Sequence, residues 1–245
     1  MTVATHPIRR RGLHQRVVDL LGQGIVRGDY EPGAALPNEA DLGIDLDVSG
    51  TVVREAIKVL AAKGLVASRP KIGTRVLDRA NWSLIDPDVL AWQIEVGPDA
   101  RLFRELTEVR SIIEPRASAL AAERRTEREA SQLCALVEQL DLVADEHERY
   151  IAVDLALHGA ILDAAHNELL AGMTGTISVA LAASRRLTVR TPKGPRIAMQ
   201  LHRTVVEAIV AHDPERASRA MASIIRGADQ DIEGAFEGST VRGNA

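Results

Sequence analysis

The chain has 245 residues, of which 46% are hydrophobic and 26% charged, and its formal net charge at pH 7 is −4. This length accommodates one large or two smaller folded domains, and the apolar content excludes an intrinsically disordered chain. Ala, Leu, Val and Ile supply most apolar residues and only 2% are aromatic, which favours packed helices over an aromatic-rich β-sandwich. The expected fold class is mostly α.

Cysteine usage and hydropathy indicate the cellular setting. Cys134 is the single cysteine, which excludes an internal disulfide framework and a cysteine-based zinc cluster and fits a reducing compartment. No window approaches the apolar length of a membrane span, and no apolar core follows the basic segment 1–12. We expect a cytoplasmic protein that has no membrane partner.

The negative net charge is unevenly distributed along the chain. Residues 1–79 contain 12 Lys/Arg and 9 Asp/Glu, a net charge of +3, whereas the remaining residues carry −7. A basic N-terminal third is what an electrostatic contact with DNA requires.

The N-terminal third has helical periodicity and then a basic hairpin. Apolar residues at three- and four-residue steps, with Gly28 as a stop, Asn38 and Asp41 as a capping box and Ser49 as an N-cap, indicate successive helices. Two short strands, Leu65–Val66 and Arg75–Leu77, follow around a turn. The predicted elements are three helices and a hairpin, at residues 13–27, 38–46, 49–63 and 65–77. This order predicts a winged helix-turn-helix domain over residues 1–79, with an N-terminal arm.

The remaining chain reads as a linker and a second, helical domain. Residues 80–99 predict a linker with a small helix at 89–94 and a hinge at Gly97–Pro98. Residues 100–238 predict an all-helical bundle, and residues 239–245 are expected to be a disordered tail. The bundle has about six predicted helices, at 101–124, 127–147, 149–165, 167–189, 195–212 and 214–236.

Asp154 and His158 lie four positions apart in an apolar, alanine-rich run. This spacing places both side chains on one face of a helix. A carboxylate beside an imidazole suits a metal site, a ligand contact, a catalytic pair or the solvent-exposed edge of a helix. The pair alone does not distinguish among these four.

Several segments together resemble a known family. The N-terminal residues "PGAALPNEADLGIDLDVSGTVVREAIKVLAAKGLVASRPKIGTRV" resemble the DNA-binding domain of the GntR family of bacterial transcription regulators. "EVRSIIEPRASALAAERRT", "DLALHGAILDAAHNELL" and "LHRTVVEAIVAHDPERASRAM" resemble the all-helical FCD effector domain of its FadR subfamily. The linker "NWSLIDPDVLAWQIE" is similar to that of repressors of galactonate catabolism. Together these segments cover almost the whole chain.

The resemblance implies a homodimer that presents two recognition helices to a pseudo-palindromic operator in double-stranded DNA. Gly50 and Asp41 stand where many members have DNA-contacting arginines, so the operator sequence is not transferable. As an alternative, Arg54 is a surface cation that pairs with Glu39 or Glu55. The implied DNA contacts come from the arm, the recognition helix and the wing, at Arg9, Arg10, Arg11, Ser49, Thr51, Arg54, Arg69, Lys71 and Gly73.

The resemblance also implies a divalent metal, of the zinc, nickel or manganese class, inside the helical domain. Asp154, His158 and His202 match three ligands of such a site. Ile224 stands at the position of the fourth ligand. The three residues therefore either form an open metal site that the effector completes or contact the effector directly, without a metal.

Arg110 matches an arginine that points into the same cavity in the family. A buried guanidinium needs an anion, and a bidentate carboxylate is its best partner. An organic acid, with a sugar acid favoured, is the implied effector, and its implied contacts are Arg110, Asp154, His158, Thr174, Ser178 and His202. Further helpers are Ser184, Arg185 and Arg186. Alternatively, Arg110 pairs with Glu114 one turn on and Thr174 is a packed small residue.

Three functional hypotheses follow from these patterns. The first is a repressor of sugar-acid catabolic genes that its effector releases from DNA. The second is a metal-dependent enzyme on the bundle, which the absence of HExxH, a phosphate loop and G-x-S-x-G disfavours. The third is a constitutive DNA binder with a vestigial pocket, which Ile224 supports. The remaining histidines are interpreted as structural: His6, His14, His147, His166 and His212.

Overall fold

The computed structural model describes residues 12–70, 72–97, 99–188 and 194–242. The chain divides into two compact units, Met1–Gly97 and Pro98–Ala245. Each unit has its own apolar core. Within the described ranges, no helix is long and apolar enough to cross a membrane.

The N-terminal unit is a winged helix-turn-helix, as the sequence predicted. Its strands pair in antiparallel fashion, with Val66 opposite Val76 and Arg69 opposite Gly73. The described elements, in chain order, are α1 (Leu13–Arg27), α2 (Glu39–Asp45), α3 (Gly50–Ala62), β1 (Val66–Arg69), β2 (Gly73–Val76) and α4 (Pro87–Val96).

The N-caps predicted at Asn38 and Ser49 are present, but the predicted capping box is incomplete, because Asp41 accepts from the Asn38 side-chain amide at 2.6 Å and not from its backbone N–H. The Asn38 side-chain oxygen accepts hydrogen bonds from the backbone N–H groups of Ala40 and Asp41, each at 3.0 Å. The Ser49 hydroxyl accepts one from the N–H of Val52 at 3.4 Å. These side chains satisfy amide donors that have no partner within their own helix. They fix where α2 and α3 begin.

Most of the predicted linker packs within the N-terminal unit. α4 begins at Pro87, two residues earlier than predicted, and ends at Val96. Trp92 of α4 is buried against α1 at Gly22, where an added Cβ would lie 2.5 Å from its ring. Lys63, just after α3, contacts Asp86 at 2.7 Å and Asp88 at 2.9 Å. These contacts tie α4 to both α1 and α3.

The second unit is all-helical in its described part, which confirms the mostly α fold class. The elements are α5 (Ala100–Arg124), α6 (Glu127–Leu142), α7 (His147–Ala164), α8 (Glu168–Gly172), α9 (Thr174–Thr188), α10 (Gly194–Val210) and α11 (Pro214–Arg242). Their inner faces supply one large apolar core, which includes Leu133, Leu140, Leu157, Ile161, Val205, Ile209 and Ile225.

Three predicted helix boundaries in this unit were wrong. The helix predicted over 127–147 ends at Leu142. The single helix predicted over 167–189 is two helices, α8 and α9, because α8 ends at Gly172. Glycine is about 1 kcal/mol less favourable than alanine inside a helix, which makes it a natural break. α11 continues to Arg242, so residues 239–242 are helical where a tail was expected. Residues 243–245 lie outside the described residues.

Candidate functional site

Six ionisable side chains meet in the interior of the helical unit. They come from α5, α7, α9 and α10, and each is less than a tenth exposed. Four-residue spacing places each of two pairs on the inner face of one helix. We refer to this set as the buried polar cluster: Arg110, Glu114, Asp154, His158, Arg185 and His202.

Three members of the buried polar cluster present ligand atoms to one point. Asp154 Oδ1 lies 3.0 Å from His202 Nε2 and 3.8 Å from His158 Nε2, and the two Nε2 atoms are 3.2 Å apart. Ligand atoms bound to one tetrahedral zinc ion at about 2.0–2.1 Å are separated by about 3.3 Å. A carboxylate oxygen and two imidazole nitrogens are also the ligand types of zinc, nickel and manganese. The residues therefore fit a divalent metal.

The protonation states of Asp154 and His202 suit metal binding. Burial raises the pKa of Asp154, but Arg185 and His202 outweigh it and hold that pKa well below its ordinary value. Burial lowers the pKa of His202 below 6.5, so this imidazole is neutral near pH 7. Carboxylates and neutral imidazoles are the forms that bind metals.

Arg185 orients the carboxylate of Asp154. Its Nε donates to Oδ2 at 2.8 Å, and its Nη2 is 3.4 Å from Oδ1. Oδ2 is thereby occupied by the guanidinium, while Oδ1 faces the two histidines. Asp154 in turn raises the pKa of Arg185, against the lowering effect of burial. The sequence indicated Arg185 only as a secondary helper, whereas it is the ion-pair partner of a candidate metal ligand.

Glu114 plays the corresponding role for His158. Its Oε2 lies 2.5 Å from His158 Nδ1, and its Oε1 accepts a hydrogen bond from Arg110 Nε at 2.6 Å. A carboxylate only accepts, so Nδ1 of His158 donates to Glu114, while Nε2 faces Asp154 and His202. Burial raises the pKa of Glu114, but Arg110 and His158 lower it to about 2. Metal-binding histidines are commonly held by a carboxylate in this way.

Arg110 pairs with Glu114, as the alternative interpretation proposed, but this pairing uses only Nε. The side chain is 1% exposed, and its Nη1 and Nη2 atoms have no hydrogen-bond partner in the described part of the chain. Leaving such donors unpaired in the interior costs about 1–3 kcal/mol, and more for a charged group. The end of the guanidinium is thus suited to an anion with two acceptor atoms.

The other predicted effector contacts differ in burial. Thr174 Oγ1 is buried and has no partner among the described residues, and the Thr174 methyl lies 3.4 Å from where a Cβ on Gly159 would be. Ser178 is half-buried. Ser184 donates to the carbonyl of Ala180 within its own helix. Thr174 therefore has a free hydroxyl beside α7, whereas the Ser184 hydroxyl is already used.

Two histidines interpreted as structural lie at helix ends. His166 and His212 have positive φ angles of 48° and 54°, directly after α7 and α10. His212 Nδ1 contacts the carbonyl of Ala122 at 2.7 Å, and His166 Nε2 contacts Glu129 at 3.0 Å. Both stabilise junctions between helices.

Tyr150 is a buried polar residue that the sequence reasoning missed. It lies four residues before Asp154 on α7, and its hydroxyl has no partner in the described ranges. The sequence contained a signal for it, because Tyr150, Asp154 and His158 follow one another at four-residue steps and therefore share one face of a helix.

A second candidate surface lies at the start of α3 in the N-terminal unit. Ser49, Thr51 and Arg54 are all exposed there. Arg54 is 58% exposed and donates to Glu39 through Nε at 3.0 Å and Nη2 at 2.7 Å. The surface pairing considered as an alternative is therefore present. An exposed pair of this kind contributes little to stability, so Arg54 remains available to a phosphate or base.

The wing carries two further predicted DNA contacts. Arg69 and Gly73 form the strand pair next to the hairpin turn, and both are exposed. The predicted contacts at Arg9, Arg10, Arg11 and Lys71 lie outside the described residues.

A winged helix-turn-helix unit followed by a helical unit with a buried polar cluster is the architecture of a two-domain transcription regulator. Residues 13–76 match the family described as bacterial regulatory proteins, gntR family, and residues 105–227 match the FCD domain. The chain therefore belongs to the GntR family of bacterial transcription regulators and carries an FCD domain. The family and the relatives of this chain are transcription regulators and not enzymes. The hypothesis of a metal-dependent enzyme is therefore wrong.

Individual relatives support this assignment. The uncharacterised HTH-type transcriptional regulator YieP of Escherichia coli K12 is 33% identical over 90% of this chain and 96% of its own length. The galactonate operon transcriptional repressor of the same organism is 32% identical over 86% of this chain and 92% of its own length. The structure of Lar, which controls the Listeria monocytogenes agr system, aligns with a TM-score of 0.63 over 90% of this chain and 96% of Lar. At 18% identity, that likeness concerns the fold alone.

Proposed function

We propose that this regulator represses sugar-acid catabolic genes and is released from its operator when an organic acid binds in the FCD domain. The observation that carries the proposal is the Arg110 guanidinium, which is buried with both terminal nitrogens unpartnered. A carboxylate is the ligand whose two oxygens match that pair of donors.

The charge of the buried polar cluster supports an anionic ligand. Two guanidinium groups balance the two carboxylates, whose depressed pKa values keep them ionised, and the imidazole of His202 is neutral near pH 7. A divalent metal held by Asp154, His158 and His202 would add two positive charges and attract an acid. With such a metal bound, its uncompensated charge would favour an acid over a neutral sugar.

The DNA-binding side of the proposal uses the exposed face of α3. The N-terminal end of this helix carries a partial positive charge, and Thr51 and Arg54 extend from its first turns. A homodimer would present two such helices to a pseudo-palindromic operator. Arg69 and Lys71 of the wing and the arginines at 9–11 would add phosphate or minor-groove contacts.

The names of the relatives favour a sugar acid within the class of organic acids. One relative is named for the galactonate operon, and galactonate combines a carboxylate with several hydroxyl groups. Thr174 and Ser178 on α9 are the residues we assign to the hydroxyl groups.

A gel shift with the intergenic DNA upstream of the protein's own gene tests the proposal. We expect low-salt binding of that fragment by the wild type and its release by at least one member of a sugar-acid panel. The Arg110→Lys variant keeps a cation beside Glu114 but loses the two terminal N–H donors of the guanidinium. It should therefore bind DNA and remain bound when the acid is added. Arg116→Lys, at an exposed position of the same helix, is the matched control. Failure to bind any fragment, or release from Arg110→Lys equal to wild type, would refute the proposal.

Elemental analysis tests the metal separately. We expect the purified wild type to contain a divalent metal, and His202→Ala to contain less than a tenth as much, because a ligand is lost. A metal-free wild type that still responds to an acid would show that the three residues contact the effector directly.

A further inference from the structure

The Tyr150 hydroxyl is a buried polar group without a structural task. The side chain is 2% exposed and packs in the main apolar core, yet its Oη has no hydrogen-bond partner in the part of the chain that the structure describes. A phenylalanine would provide the same packing without leaving a buried hydroxyl unsatisfied. The hydroxyl group therefore needs an explanation other than packing.

Tyr150 lies next to the buried polar cluster. It precedes Asp154 by one turn of α7, and its ring centroid is 6.0 Å from Cζ of Arg185, which holds Asp154. Burial raises the pKa of Tyr150 to about 12, so the group is a neutral hydroxyl that both donates and accepts. It is suited to an uncharged polar group of a ligand.

Five buried polar atoms in and beside the cluster have no partner among the described residues: Arg110 Nη1 and Nη2, Tyr150 Oη, Thr174 Oγ1 and His202 Nδ1. The first four are able to donate a hydrogen bond. The chain of contacts from Arg110 through Glu114, His158 and Asp154 to Arg185 has no link longer than 3.8 Å. The four donors lie on α5, α7 and α9, the helices that supply five of the six cluster residues, and a ligand with several acceptor oxygens would satisfy them.

We propose that Tyr150 binds a hydroxyl group of the effector and so selects hydroxylated carboxylic acids over plain ones. The inference rests on the proposed function, because it assigns the carboxylate of the same ligand to Arg110. It goes further in naming a residue that distinguishes acids of equal chain length by their hydroxyl groups.

Isothermal titration of the full-length protein with paired acids tests this inference. Each hydroxy acid, from lactate to galactonate, is compared with the plain acid of the same length, from propionate to hexanoate. The wild type should bind the matching hydroxy acid more tightly than its plain counterpart. Tyr150→Phe should lower the affinity for the hydroxy acid about tenfold, which corresponds to the loss of one hydrogen bond. It should leave the affinity for the plain acid unchanged. Tyr30→Phe, the chain's other tyrosine, is the control and should change neither affinity.

The ligand-free melting temperature separates this role from a structural one. Tyr150→Phe removes an unsatisfied hydroxyl, so its melting temperature should equal or exceed that of the wild type. A lower melting temperature, or hydroxy-acid affinity equal to wild type, would overturn the inference and leave the proposed function standing. If the wild type binds no acid of either series, the proposed function fails as well.

Discussion

Individual carboxylates in the buried polar cluster are held ionised by specific partners. Burial alone raises the pKa of Glu114 and of Asp154, and a cation from the same or a neighbouring helix reverses the effect in both. Replacing one partner of such a buried pair leaves an uncompensated charge, which is strongly destabilising. Each carboxylate thus orients a ligand-binding side chain and neutralises a guanidinium at the same time.

The stability of the helical unit should decrease in acid because of Glu114. Its pKa is about 2 in the folded protein against an ordinary 4.5, so the unfolded chain binds more protons between these values. The stabilisation is fully present above about pH 4.5 and is lost as the pH falls towards 2. Urea denaturation should show a shallower decline in unfolding free energy below about pH 5 for Glu114→Gln than for the wild type. Equal slopes would contradict the assigned pKa.

Ile224 explains why the candidate metal site has three protein ligands. It is buried in the apolar core, and the family resemblance of the sequence places it where a fourth ligand is expected. Ile224→His should therefore tighten zinc binding about tenfold or more, measured by competition with a chelator. Ile225→His, at the adjacent buried position, is the control and should give no gain. The same zinc affinity in Ile224→His and wild type would show that this position does not face the metal ligands.

At the scale of elements, the end of the recognition helix α3 is fixed by a close backbone approach. Gly64 has a φ of 76°, and a Cβ there would lie 2.1 Å from the carbonyl oxygen of Asn81. Lys63, one residue before, pairs with Asp86 and Asp88 at the start of α4. The segment after the wing is therefore part of the DNA-binding unit.

Two glycines with similar backbone angles distinguish this close approach from the cost of a positive φ. Gly33 has a φ of 82° and no atom within 4 Å of an added Cβ. Gly33→Ala should cost about 1 kcal/mol, from the left-handed backbone alone. Gly64→Ala should cost about 3 kcal/mol or more, because Asn81 must also move. Chemical denaturation of the two variants checks this, and equal costs would contradict the close packing.

Local sequence signals predicted where helices begin better than they predicted contacts between helices. Asn38 and Ser49 marked the starts of α2 and α3, respectively, because a cap acts within three residues. The pairing of Arg110 with Glu114 was foreseeable from four-residue spacing. The pairing of Arg185 with Asp154 joins residues 31 positions apart, so only the packing of α9 on α7 reveals it.

At the scale of the whole molecule, a helical FCD domain and a DNA-binding domain are joined in one chain. The family assignment follows from both matched domains, which together span most of the chain. Regulation requires that the acid bind the DNA-free and DNA-bound protein with different affinities. Tight binding alone, without that difference, would not release DNA.

Thermodynamic linkage tests this central claim most directly. The affinity of the full-length protein for its operator is measured by fluorescence anisotropy with and without saturating acid, and the affinity for the acid with and without operator. Both affinities must fall by the same factor, which we expect to be about 5- to 150-fold. Arg110→Lys should abolish the effect on both sides while keeping operator affinity. An acid that binds the free protein but changes operator affinity by no measurable factor would contradict the account.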